Sequence, residues 1–162
     1  MPQLPDLLRT ETWHPLIVHF PIVLLLVSTA FKLLFIIDKR ETWDLGGSLL
    51  LYAGTMAAWL AVYTGSLADA VVVRDLCDPV VLETHENMAY LLSTLFTVAS
   101  FLDILWRFIP KLKIVAIQVI IVMVMVSGSA VLSYTGHLGA SLVYQQAAGV
   151  YIPSDTCEEF VK

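Results

Sequence analysis

Four apolar runs, each about as long as a bilayer is thick, decide what this chain can fold into. They cover residues 16–37, 45–68, 87–109 and 114–136. A membrane core needs about 20 residues of α-helix to cross it. Inside lipid, a helix satisfies all of its own backbone polar groups. Charged residues make up 14% of the chain and hydrophobic residues 58%, whereas a soluble domain carries about 25% charged residues. Such a chain cannot cover a water-facing surface. The expected fold is all-α and integral to the membrane. It is a four-transmembrane-helix, up-down-up-down bundle forming a single domain over residues 1–162, with a tail from 137 to 162. The first run has no basic segment before it, and Asp38-Lys39-Arg40 follows as a stop-transfer pattern. It therefore reads as a retained span rather than a signal peptide. Lys32 and Asp103 fall inside spans near one end and are expected to snorkel to the headgroups.

Loop charges orient the bundle. Lys39 and Arg40 follow the first run; Arg107, Lys111 and Lys113 lie at the turn after the third. The connection after the second run is acidic, with Asp69, Asp75, Asp78, Glu83 and Glu86 against Arg74 alone. The positive-inside rule then places both basic turns in the cytoplasm and both termini on the periplasmic side of a bacterial inner membrane. The formal charge of -5 leaves no basic patch to neutralise phosphates, which excludes nucleic acid as a partner. Cys77 and Cys157 fall on the same periplasmic side, where thiols commonly pair, so a Cys77–Cys157 disulfide is expected. Neither cysteine sits in the C-x-x-C-H pattern of a covalently held haem.

The chain repeats itself. Tyr63-Thr64-Gly65-Ser66-Leu67 and Tyr134-Thr135-Gly136-His137-Leu138 end the even-numbered runs at an offset of 71, and the same offset carries His14 onto His85. The reading is two tandem helical hairpins related by a pseudo-twofold axis along the membrane normal. Small residues at Gly54, Ala57, Ala58, Ala61, Ser127 and Gly128 would let helices approach closely. The glycines at 65 and 136 would permit close backbone approach or end a helix.

All four histidines, His14, His19, His85 and His137, lie at the periplasmic end of this arrangement. His19 sits about 7 Å deeper than His14 at the helical rise per residue, where an imidazole needs a partner from protein or cofactor. Runs one and three are diagonal in a square bundle, so a flat cofactor between them would take a ligand from each, with His14, His19, His85 and His137 as the candidate ligands and His19, His85 and His137 the foremost candidates for a haem iron. Two imidazoles are the axial ligands of a b-type haem, and helical bundles build such sites between facing helices. Imidazole also suits copper and zinc. Trp13, Phe20, Trp59, Tyr63, Tyr90 and Tyr134 could line a haem pocket or belong to the interfacial aromatic belt.

The stretches "HPLIVHFPI" and "TGHLGASLVY" resemble a widespread family of four-helix bacterial membrane domains that carries a domain-of-unknown-function label. The resemblance covers nearly the whole chain, with motif positions His14, Pro15, His19, Pro21, Gly136, Gly139 and Tyr144. The chain departs from it at Ala140, where members often carry a second glycine, and at Gln145-Gln146-Ala147. His137 matches a subset of members. Some members look fused to, or encoded beside, cytochrome c-type domains, which implies a redox setting. The expected function is a small b-type cytochrome membrane subunit. It would carry electrons between a periplasmic donor or quinol and a larger membrane redox complex, with haem b as cofactor, quinone nearby and the bilayer around it. An electron-transfer or accessory role is favoured over a stand-alone enzyme, because no nucleophile–base pair or phosphate loop is visible. The alternatives are a non-catalytic scaffold subunit and a copper- or zinc-binding membrane protein.

Overall fold

The computed structural model describes residues 9–150. They fold into a bundle of four membrane-spanning helical segments. The first is broken in two: α1 (Trp13–Ile17) and α2 (His19–Asp38). Pro21 has no N–H to offer the carbonyl of Ile17, and its ring crowds that carbonyl, so the ladder yields at Val18. α2 stops at Lys39, whose φ of 58° is left-handed. The next three segments are α3 (Glu41–Val72), α4 (Pro79–Phe108) and α5 (Val115–Gln146). α4 opens on a capped start: Val80 N–H donates to the Asp78 carboxylate, and Pro79 occupies the first turn, where no N–H is missed.

The segments pack α2 on α3, α4 on α5, α3 on α4 and α2 on α5. That is the square, up-down-up-down arrangement of two hairpins expected from sequence. The helices run longer than the apolar stretches. α3 continues past Gly65 to Val72 and α5 past Gly136 to Gln146, so neither glycine ends a helix and residues 137–146 are helical rather than tail. α5 stops at Ala147, which adopts a φ of 54°. The Gln146 side chain accepts a bond from Asp78 N–H at 2.8 Å, tying the end of α5 to the start of α4.

The pseudo-twofold axis is present, but with two registers. On α1, α2 and α4 the offset is 71; on α3 and α5 it is 74. Leu25 fills the space over Gly54, where a Cβ would come within 2.6 Å of it, and Phe96 fills the space over Gly128, where a Cβ would come within 2.8 Å. Leu25 and Phe96 are 71 apart; Gly54 and Gly128 are 74 apart. The hydroxyls of Thr29 and Ser129 share a hydrogen bond at 3.1 Å, and those of Ser100 and Thr55 share one at 3.0 Å. These two hairpin-to-hairpin bonds exchange under the same pair of offsets. The three extra residues of the second hairpin lie in its turn, where Pro110–Leu112 form a 3-10 turn between α4 and α5. The Tyr-Thr-Gly match at a single offset of 71 therefore misaligns the even helices by nearly one turn.

Lys32 and Asp103 do not reach the headgroups. They are 4% and 1% exposed and meet on the axis, Lys32 Nζ to Asp103 Oδ1 at 2.6 Å. Lys32 also pairs with Asp44 at 2.7 Å. Arg107 reaches Asp44 at 2.8 Å and Asp103 at 3.2 Å. Ser48 and Tyr52 donate to Asp103 Oδ2, each at 2.6 Å. Two cations and two carboxylates from α2, α3 and α4 neutralise one another, which is how buried charge is tolerated. Snorkelling was the wrong expectation because each charge found its partner inside.

Candidate cofactor site

The opposite end of the axis holds the histidines. α1 carries His14 and α4 carries His85, symmetry mates at the offset of 71. Their ring centroids are 6.1 Å apart and their planes stand at 88°. His14 Nδ1 lies 2.9 Å from the carbonyl oxygen of Ala61 on α3, and His85 Nδ1 lies 3.0 Å from that of Thr135 on α5. A carbonyl can only accept, so each Nδ1 carries the proton and each Nε2 keeps its lone pair. Ala61 and Thr135 are 74 apart and correspond under the even-helix register. Each imidazole is thus held in the same way by its own hairpin.

A cavity of about 460 Å³ opens around this pair. His14, His19 and His85 line it; Pro21, Ala58, Leu92 and Leu132 are among its apolar walls, and Glu11, Asp69 and Glu86 bring carboxylates to it. The kink at Val18 brings His14 on α1 and His19 on α2 to one cavity. His137 does not join them. It sits on an exposed side of α5 and does not line the cavity. Among the aromatics proposed as walls, Tyr90 lines the cavity, while Trp13, Phe20, Trp59, Tyr63 and Tyr134 are exposed, the placement of a lipid-facing or interfacial belt. Tyr144 lines the cavity although it was noticed only as a motif position. Among the described residues no three of His, Cys, Asp and Glu converge as a metal-binding group. What the site offers is a neighbouring pair of imidazoles with perpendicular planes. Cys77 is exposed, and Cys157 lies outside the described residues.

The profile of a family described as predicted membrane protein, DUF2231, matches residues 10–151. The chain belongs to the DUF2231 family. No curated protein and no solved structure matches it. The matched range of this DUF2231 chain includes all four spans, the histidine pair and both carbonyls that hold it.

Sequence alone did not foresee the two carbonyls or the place of Gly139 under His85, whereas the close approach expected at Gly65 is present, under His14. A Cβ on Gly65 would lie 3.2 Å from His14, and one on Gly139 would lie 3.2 Å from His85. The available signal was spacing: Ala61 to Gly65 and Thr135 to Gly139 are each four residues, one helical turn on the same face. The Tyr-Thr-Gly alignment hid it by pairing Gly65 with Gly136.

Proposed function

We propose that this protein is a small b-type cytochrome subunit of a membrane redox assembly, with His14 and His85 as the two axial ligands of one haem. The observation that supports this reading is the neighbouring pair of imidazoles, each with Nδ1–H donated to a backbone carbonyl and Nε2 left with a lone pair. Metal-bound histidines characteristically use their second nitrogen in this way, which fixes the tautomer and the ring orientation. With metal–nitrogen bonds of about 2 Å, two imidazoles on opposite sides of one metal have centroids about 6 Å apart. The observed centroid separation of 6.1 Å is of that size. A structural zinc site takes four protein ligands. A porphyrin brings four nitrogens of its own and asks the protein for two. The donor set therefore favours haem over the copper or zinc alternative, and a volume of 460 Å³ is in the range of cofactor sites, about 300–1,000 Å³.

Bis-imidazole iron is a low-spin centre suited to passing single electrons. Its place at one end of the bundle suits exchange with a soluble periplasmic donor or with quinol in the adjacent leaflet. The charge asymmetry of the loops supports both termini on the outer side of the membrane, and the resemblance to bacterial membrane domains supports the bacterial inner membrane, whose outer side is the periplasm. In that compartment Cys77 and Cys157 would pair, closing a loop of about 80 residues worth on the order of 4 kcal/mol in the chain-entropy model. Haem content of the purified full-length protein tests the central reading. One b haem per chain is expected in the parent, and none in His14→Ala or His85→Ala. A parent without haem, or either variant with full haem content, would refute it.

A further inference from the structure

Each imidazole rests on its helix at two points four residues apart, a carbonyl at position i and a glycine at position i + 4. For His14 these are Ala61 and Gly65; for His85 they are Thr135 and Gly139. In an α-helix the carbonyl of residue i points at the N–H of residue i + 4. A side chain at i + 4 therefore stands beside that carbonyl and obstructs any group approaching it from outside the helix. A Cβ on Gly65 would lie 3.2 Å from His14 Cε1 and 3.3 Å from its Nδ1. On Gly139 it would lie 3.2 Å from His85 Cε1 and 3.6 Å from its Nδ1. Either ring would have to move by a few tenths of an ångström, and its Nδ1–H would be pushed off a short bond. Gly136, the apparent counterpart of Gly65 in the Tyr-Thr-Gly motif, meets nothing within 4 Å.

We propose that Gly65 and Gly139 are positioning residues that set the orientation of the His14 and His85 imidazoles, and that Gly136 has no such part. The cradle is a property of the polypeptide. Only its effect on a bound iron rests on the haem reading.

Both levels are testable on the full chain in micelles. In ¹⁵N-histidine spectra of the cofactor-free protein, His14 and His85 should each show the Nδ1–H tautomer. Gly65→Ala should move the His14 signals and leave those of His85. Gly139→Ala should do the reverse, and Gly136→Ala should move neither. A folding control separates ring placement from general helix packing. Alanine is the better helix residue, so Gly65→Ala should raise the melting temperature when His14 is already alanine and lower it when the imidazole is present. In the haem-loaded protein the same two variants, and not Gly136→Ala, should shift the reduction potential. Equal effects of Gly136→Ala and Gly139→Ala on the imidazole signals would overturn the proposal. So would a Gly65→Ala that leaves His14 unmoved, or one whose effect on melting ignores the ring. A parent without haem but with this pattern of histidine shifts would sink the cytochrome reading and leave the cradle standing. A haem protein without the pattern would do the opposite.

Discussion

His14 gains its importance from its surroundings more than from its place in sequence. At a helix start before a proline it looks like an interfacial residue, and His19, deeper in the chain, looks the stronger ligand. The structure engages His14 Nδ1 with Ala61 and sets its ring beside His85, a pairing legible beforehand only in their 71-residue offset. His19 lines the same cavity but is not part of the pair; His137 lies outside the cavity. The histidines should therefore separate cleanly on substitution. His14→Ala and His85→Ala should abolish the low-spin absorption of the purified protein, while His137→Ala should leave its position and intensity unchanged. His19→Gln should keep the low-spin band, since the proposed reading assigns both axial positions to His14 and His85. The residue types of the site were readable in sequence, but the carbonyls that orient them were not, because a backbone acceptor has no residue signature.

Among the elements, the hairpins are joined by contacts that composition announces only in part. Gly54 was visible as a small residue in a span, and it receives Leu25 across the α2–α3 contact. Gly54→Ala would place a methyl within 2.6 Å of the Leu25 side chain. Overpacking of that kind costs about 1–3 kcal/mol, and chemical unfolding in micelles should show a loss in this range. Ser127, equally small, is exposed, because one residue of shift on a helix turns a side chain by about 100° at 3.6 residues per turn. The charged network was misread for a related reason. Lys32 and Asp103 each resemble a residue close enough to water to snorkel, and the only sign in the sequence that they meet is their separation of 71, the offset that also carries His14 onto His85. Removing one member leaves its partners buried and uncompensated, so Lys32→Met or Asp103→Leu should each destabilise the bundle by about 3–5 kcal/mol. Replacing both together should cost less than the sum of the two single changes, because the pair is then removed without leaving either ion alone.

At the scale of the molecule, residues 9–150 form two corresponding hairpins whose shared axis runs from the Lys32–Asp103 pair at one end to the His14–His85 pair at the other. Four spans and their order could be read from hydropathy, because bilayer thickness sets element length. The two registers could not, since three residues inserted in a turn change no apolar pattern. Both termini on the periplasmic side is the topology the loop charges favour. A reporter joined after Lys162 should be active in its periplasmic form and silent in its cytoplasmic form, and the opposite result would move the site to the inner face. The central claim is that the axis carries an iron between two imidazoles whose planes stand 88° apart. Low-temperature electron paramagnetic resonance of the oxidised, full-length protein tests it most directly. Near-perpendicular axial imidazoles would leave the two d orbitals that share three electrons in low-spin ferric iron nearly degenerate, and the expected signal is low-spin and strongly anisotropic, lost in His14→Ala and in His85→Ala. A high-spin signal, or no haem signal from a protein made with ample haem, would contradict the account.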